Sequence, residues 1–232
     1  MAKSFGTAHG SAKKNNLDYA KLEMGTNEFR LVGELLPRYA YWKELNSGGN
    51  SFSIPVECLS FDRELEEFTN IEKDWFKHHF PAEKCVWSYL VQCIDKDNKL
   101  KMFGLKKKLF DQIMEAAETL GDPTDPKTGW PIKFTKKSNG PNAFNIEYSL
   151  LQLQLKPAPL TAAQKEAIKD MKPIDELVPR QTPEQQLAFI EQAWLSTPET
   201  NVSNEAIDEL KHDEYDTFKT KNEPVLEEDV PM

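Results

Sequence analysis

The chain has 232 residues, 39% of them hydrophobic and 29% charged, with a mean hydropathy of −0.63, more polar than a chain folded wholly around a core. It holds no run of about 18 apolar residues, which excludes a transmembrane helix, and its three cysteines argue against a disulfide framework. The formal net charge of −9 conceals a division, because residues 1–158 sum to +1 and residues 159–232 to −10.

In chain order, residues 1–25 read as a flexible basic arm carrying Lys3, Lys13, Lys14 and Lys21 among small residues. The opening Met1-Ala2-Lys3-Ser4-Phe5 has no apolar leader core, so a cytoplasmic location is expected. Glu28–Leu36 alternates as a strand up to Pro37, Ser47-Gly48-Gly49-Asn50 is a turn, and Phe52, Ile54, Val56 and Cys58 alternate after it. From Arg63 to Phe80, Leu65, Phe68, Ile71, Trp75, Phe76 and His79 recur at spacings of three and four, which predicts a helix ending before Pro81. Val86–Asp95 and Lys99–Phe103 predict a hairpin across Asp95-Lys96-Asp97-Asn98.

Leu105, Leu109, Ile113, Ala116 and Leu120 mark a helix that stops at Gly121. Trp130–Lys137 and Ala143–Leu155 predict a second strand pair, and the alternation slips at Leu150 as a bulge would make it. Past Pro157, Thr161-Ala162-Ala163-Gln164 is a capping box, and Thr182-Pro183-Glu184-Gln185 opens a further helix with Leu187, Ile190 and Trp194 on one stripe. Beyond Thr197 the chain turns acidic and poor in apolar residues, so it reads as disordered. The fold class is therefore mainly β: an OB-fold-like small β-barrel with an inserted helix over 26–158, short α-helices over 159–197, and a disordered acidic tail over 198–232.

Metal and catalytic chemistry find no support in the pattern. Cys58, His78, His79, Cys85 and Cys93 lack the closely spaced ligand pair that structural zinc requires. There is no Gly-x-Ser-x-Gly elbow, phosphate-cradling glycine loop or His-Glu-x-x-His motif, so no enzymatic activity and no cofactor is expected.

Basic and aromatic residues carry more. Lys96, Lys99, Lys101, Lys106, Lys107 and Lys108 cluster around the single acid Asp97, and Lys127, Lys133, Lys136 and Lys137 form a second group without an acid. Three of these lysines occupy the start of the 105–120 helix, where the macrodipole disfavours cations. Arg30, Arg38 and Lys43 accompany aromatic residues, with Tyr39, Tyr41, Trp42, Tyr89, Phe103, Phe144 and Tyr148 taken as candidate stacking platforms and Trp87, Phe134 and Ile146 as core. Cations along a backbone and rings beneath bases are what single-stranded nucleic acid requires. The last six residues, Glu227-Glu228-Asp229-Val230-Pro231-Met232, place an apolar plug and a free carboxylate behind three acids, which suits a basic-rimmed pocket on a partner protein. The tip resembles the Asp-Asp-Asp-Ile-Pro-Phe ending of bacterial single-stranded-DNA-binding proteins.

Phe29-Arg30-Leu31…Leu36-Pro37, Ser88-Tyr89-Leu90-Val91, Lys101-Met102-Phe103-Gly104-Leu105-Lys106-Lys107-Lys108-Leu109-Phe110-Asp111-Gln112-Ile113 and Gly121-Asp122-Pro123-Thr124-Asp125 occur in an order that resembles phage single-stranded-DNA-binding proteins of the T-even type, over roughly residues 26–155. The resemblance implies DNA-stacking aromatics at Phe103 and near Tyr89, and basic contacts at Lys106 and Lys107. It also implies a place in phage DNA replication, recombination and repair, in the host cytoplasm. The zinc-binding Cys/His cluster of the T-even relative is not matched, and its basic N-terminal cooperativity motif is not evident. Two other readings stand beside this one: an adaptor or transcription co-activator using the barrel as a scaffold, and an RNA-binding protein.

Overall fold

The computed structural model describes residues 17–47, 50–140 and 145–195. The arm up to residue 16, the Gly48-Gly49 tip of the first turn, Phe144 and the acidic tail with its tip at 227–232 lie outside the described residues.

Five antiparallel strands form the central sheet in the order β10-β9-β1-β7-β8. β1 (Gly25–Leu36) lies in the middle, β7 (Tyr89–Ile94) and β8 (Leu100–Leu105) on one side, and β9 (Ile132–Ser138) and β10 (Ile146–Leu150) on the other. The first barrel strand is thus flanked by the second and fourth, with the third and fifth outermost, as in a five-stranded OB-type barrel. β1 serves two neighbours. Residues 25–29 pair with β9, and residues 30–36 pair with β7. The register with β7 shifts between Val32 and Leu36, around Gly33 at φ +74. That is the left-handed region, and a β-carbon at Gly33 would also meet Met171 Cε at 3.2 Å. The bulge therefore sits in β1. The slip read at Leu150 has another cause: β10 ends there, and a 3-10 turn over Gln152–Gln154 leaves Leu153 fully exposed and buries Leu155.

The barrel interior holds Phe29, Leu31, Val91, Cys93, Phe103, Leu105, Ile132 and Phe134. α2 (Lys107–Leu120) closes it with Leu109, Ile113 and Ala116, one side of a 3.6-residue period, and stops at Gly121. Trp130, wholly buried, donates from Nε1 to the Gly121 carbonyl at 2.9 Å.

Between β1 and β7 lies an insertion built on the hairpin β2 (Tyr39–Ser47) and β3 (Asn50–Glu57), with β6 (Val86–Trp87) at its edge. The helix expected from Arg63 to Phe80 is not formed. Asp62 Oδ1 accepts from the backbone N–H groups of Glu64 and Leu65, and Glu66 and Asn70 stand at φ 54 and 51. The chain consequently turns as a two-residue ladder, β4 (Phe61–Asp62) and β5 (Glu67–Phe68). Only α1 (Trp75–His79) is helical, capped by Asp74, whose carboxylate accepts from the Lys77 N–H.

Residues 159–195 pack on the barrel. α3 (Ala162–Ala167) and α5 (Pro183–Ile190) open with the two capping boxes, at Thr161 and Thr182, and α4 (Ile174–Leu177) lies between them. Leu160, Ile168 and Met171 cover Val32 and Ile94, and Ile174 and Leu177 cover Leu36, Leu90 and Met102. All six residues of β7 are buried for this reason, since the strand has packed layers on both faces. Arg180 fastens the extension to the insertion through Glu57 at 3.2 Å, Glu72 at 2.7 Å and the carbonyls of Leu59 and Phe61. Gln186 accepts from the Trp75 and Phe76 N–H groups and donates to the Glu57 carbonyl. Ile190 completes the cluster of Tyr41, Val56 and Phe76.

Candidate nucleic-acid interface

A cleft of about 940 Å³ runs between the β7–β8 hairpin tip, the starts of β1 and β9, and the segment 18–23. Lys21, Lys96, Lys99, Lys101 and Lys133 line it, together with Asp18, Glu23, Glu28, Asp95 and Asp97. Several of these acids have local duties. Asp18 pairs with Lys101 at 2.9 Å and Glu28 with Lys133 at 3.5 Å. Asp95 Oδ1 accepts from the N–H groups of Asp97 and Lys99, which closes the hairpin turn and leaves Lys96 and Lys99 exposed at its tip. Lys99, Lys101 and Lys133 of the expected contact residues therefore converge on one concavity.

A second group surrounds the start of α2. Trp87 stacks on Tyr89 with ring centres 4.1 Å apart and planes 15° apart, and Phe110 closes on both at 5.1 and 5.2 Å. The Lys107 Nζ lies 5.9 Å from the Trp87 ring centre and 5.8 Å from that of Phe110, and it also pairs with Asp111. Lys106 occupies the N-cap without a side-chain cap bond, and Lys108 is exposed in the first turn. On the neighbouring sheet, Lys136 pairs in register with half-buried Tyr148, while exposed Lys137 faces Glu147. Burial holds the Lys136 ammonium below its ordinary pKa, and nearby Lys106 adds to the shift. The two groups meet at the segment 18–23. Its Leu22 carbonyl accepts from Lys136 Nζ at 3.0 Å, while Asp18, Lys21 and Glu23 line the cleft.

Other expected contacts lie elsewhere, apart from Arg30, which lines the cleft but is buried. Phe103 is 1% exposed, packed at 5.3 Å from Phe29 and 6.0 Å from Phe134, so no base reaches it in the folded barrel. Tyr89 is buried beneath Trp87. Tyr41 is buried against Phe76, its hydroxyl donating to Asp74, and burial pushes its pKa up. Arg30, also buried, donates to the carbonyls of Pro123 at 2.8 Å and Asp125 at 2.6 Å, so its guanidinium holds the loop after α2. Tyr39 packs against Phe61 and Phe68 in the insertion, and Lys43 pairs with Glu83 and lies over the Phe80 ring. Arg38, in the link before β2, and Trp42, within β2, are half-buried and away from the cleft lining.

Three residues of these groups stand outside the expected contacts: Lys21, read as part of the basic arm, Trp87, read as core and indeed packed against the barrel core, and Phe110. The spacing of Lys107 to Phe110 on one helix face is the signal that identifies the last. Among the described residues, no three His, Cys, Asp or Glu side chains gather as a metal site, and no helix is long and apolar enough to cross a membrane.

No family model matches the chain, and no solved structure matches it. A curated relative does: a protein of Escherichia phage T5 described as a probable ssDNA-binding protein, 29% identical over 166 residues. The match covers 66% of this chain and 61% of the phage protein, so the chain spans less than two thirds of that relative's length.

Proposed function

We propose that the chain is a non-enzymatic, sequence-tolerant single-stranded-DNA-binding protein of phage replication and recombination. The observation that carries this reading is the Trp87–Phe110–Lys107 group at the start of α2, joined across the segment 18–23 to the lysine cleft of an OB-type barrel. Phosphates follow the lysines from Lys99, Lys101 and Lys133 to Lys106, Lys107 and Lys136, and bases stack on the Trp87 platform, a contact that tolerates any base. The description of the T5 relative supports DNA as the ligand. In this reading residues 26–158 are the DNA-binding domain, 1–25 a basic arm, 159–197 a supporting extension and 198–232 an acidic tail. The tip Glu227-Glu228-Asp229-Val230-Pro231-Met232 recruits replication and recombination proteins in the host cytoplasm.

Titration of the full chain with oligo-dT at low salt tests the reading. Quenching of tryptophan fluorescence at micromolar protein or below is the expected result. An intact fold without binding would favour the adaptor, and stronger binding to the matching RNA oligonucleotide would move the assignment to RNA.

A further inference from the structure

Residues 17–23 form a strap along the outer edge of β8. The Ala20 N–H donates to the Met102 carbonyl at 2.7 Å and the Met102 N–H donates to the Asp18 carbonyl at 2.9 Å, a single bridge rather than a full ladder. Ala20 joins the barrel core and Leu22 packs against it, while the rest of the strap runs exposed or half-buried towards Gly25. Two lysines from different strands reach it: Lys101 of β8 grips the Asp18 carboxylate at 2.9 Å, and Lys136 of β9 donates to the Leu22 carbonyl at 3.0 Å. The strap thus presents a negative oxygen and a neutral one, four residues apart, to two cations along an extended backbone. Four residues of chain span at most about 14 Å. A nucleic-acid backbone offers the same chemistry with a full charge at each step.

We propose that Lys101 and Lys136 are two phosphate subsites of single-stranded nucleic acid, occupied in the unbound protein by the strap's Asp18 carboxylate and Leu22 carbonyl. The inference rests on the nucleic-acid reading above. Lys136 is half-buried, and the Leu22 carbonyl oxygen that it holds is uncharged; a phosphate there would supply the opposite charge. A single bridge to β8 holds the strap's backbone, with Leu17 and Tyr19 packed beside Leu36, Leu90 and Met102 and with Ala20 and Leu22 on the barrel core. The Asp18 and Leu22 oxygens thus belong to an edge segment that a strand of DNA displaces without opening the β7–β8 ladder.

The test uses the full chain and oligo-dT over a series of salt concentrations. Asp18→Asn should tighten binding about two- to fivefold, the usual worth of an exposed ion pair. It should also steepen the dependence of log K on log salt by up to about 0.7, one added phosphate contact on a single strand. The gain should vanish in a Lys101→Ala background, and Lys136→Ala should weaken binding and flatten the slope. Hydrogen exchange at the Ala20 and Met102 amides should accelerate when oligo-dT is added. An Asp18→Asn protein that binds no tighter, a gain that persists without Lys101, or amides protected by DNA would each overturn the proposal. Absence of any oligo-dT binding by the unaltered chain would sink the nucleic-acid reading itself, a separately visible result.

Discussion

Phe103 and Lys101 show how far a single residue can be read from its neighbours. Alternation puts both on one face of β8, and the register pairs Lys101 with Cys93 and Phe103 with Val91. That face points into the barrel. Phe103 lies at mid-strand and is enclosed, whereas Lys101 lies near the start of the strand at the rim, so its ammonium escapes to Asp18. Phe134 and Lys136 repeat the arrangement on β9. Parity states which residues share a face; it does not state which face is inside. The distinction has a measurable consequence. Phe103→Ala should destabilise the fold by about 3–5 kcal/mol, as truncations of a buried phenylalanine do, seen as a lower urea midpoint. Trp87→Ala should leave that midpoint far less changed while removing about 1–3 kcal/mol of oligo-dT binding, one stacked base. Equal effects of the two substitutions on binding, after correction for stability, would refute the Trp87 platform.

Among the elements, those set by local chemistry follow the sequence closely. α2 ends at Gly121 as its period requires, and both capping boxes form where the Thr-x-x-Gln spacing places them. The 63–80 segment departs from its pattern because Asp62 competes for backbone N–H groups. Two residues there adopt the left-handed conformation, and the recurrence of apolar side chains then reflects a turn followed by one helical turn. α5 owes its place to a polar residue on an otherwise apolar stripe. Gln186 is fully buried and satisfies the first amides of α1 together with the Glu57 carbonyl. Gln186→Ala leaves those groups buried without partners and should cost about 1–3 kcal/mol. A urea titration checks this, and a loss below about 0.5 kcal/mol would show that α5 is not anchored there.

At the scale of the molecule, the total charge of −9 describes no surface that exists. The lysines gather along the cleft, where five acids accompany them, and at the start of α2, while most of the other acids fall in the 57–83 insertion and beyond residue 159. A tethered polyanion acts at high effective concentration on a basic surface. Removal of residues 223–232 should therefore leave oligo-dT affinity equal or higher and abolish capture of replication and recombination proteins. Capture that survives the truncation would refute the role of the tip. The extension from 159 gives the chain a second apolar layer over β1, β7 and β8, and so denies the outer face of those strands to any ligand. The sequence by itself determined the strands of the central sheet, the α2 helix, the capped helix starts and the lysine-rich stretches, because alternation, helical period and capping depend on residues within a few positions of one another. Only the tertiary structure decided which rings are enclosed, which lysines share a cleft and what holds them. Those outcomes depend on contacts such as Lys101 with Asp18 and Lys136 with Leu22, 83 and 114 residues apart, and no local pattern records them.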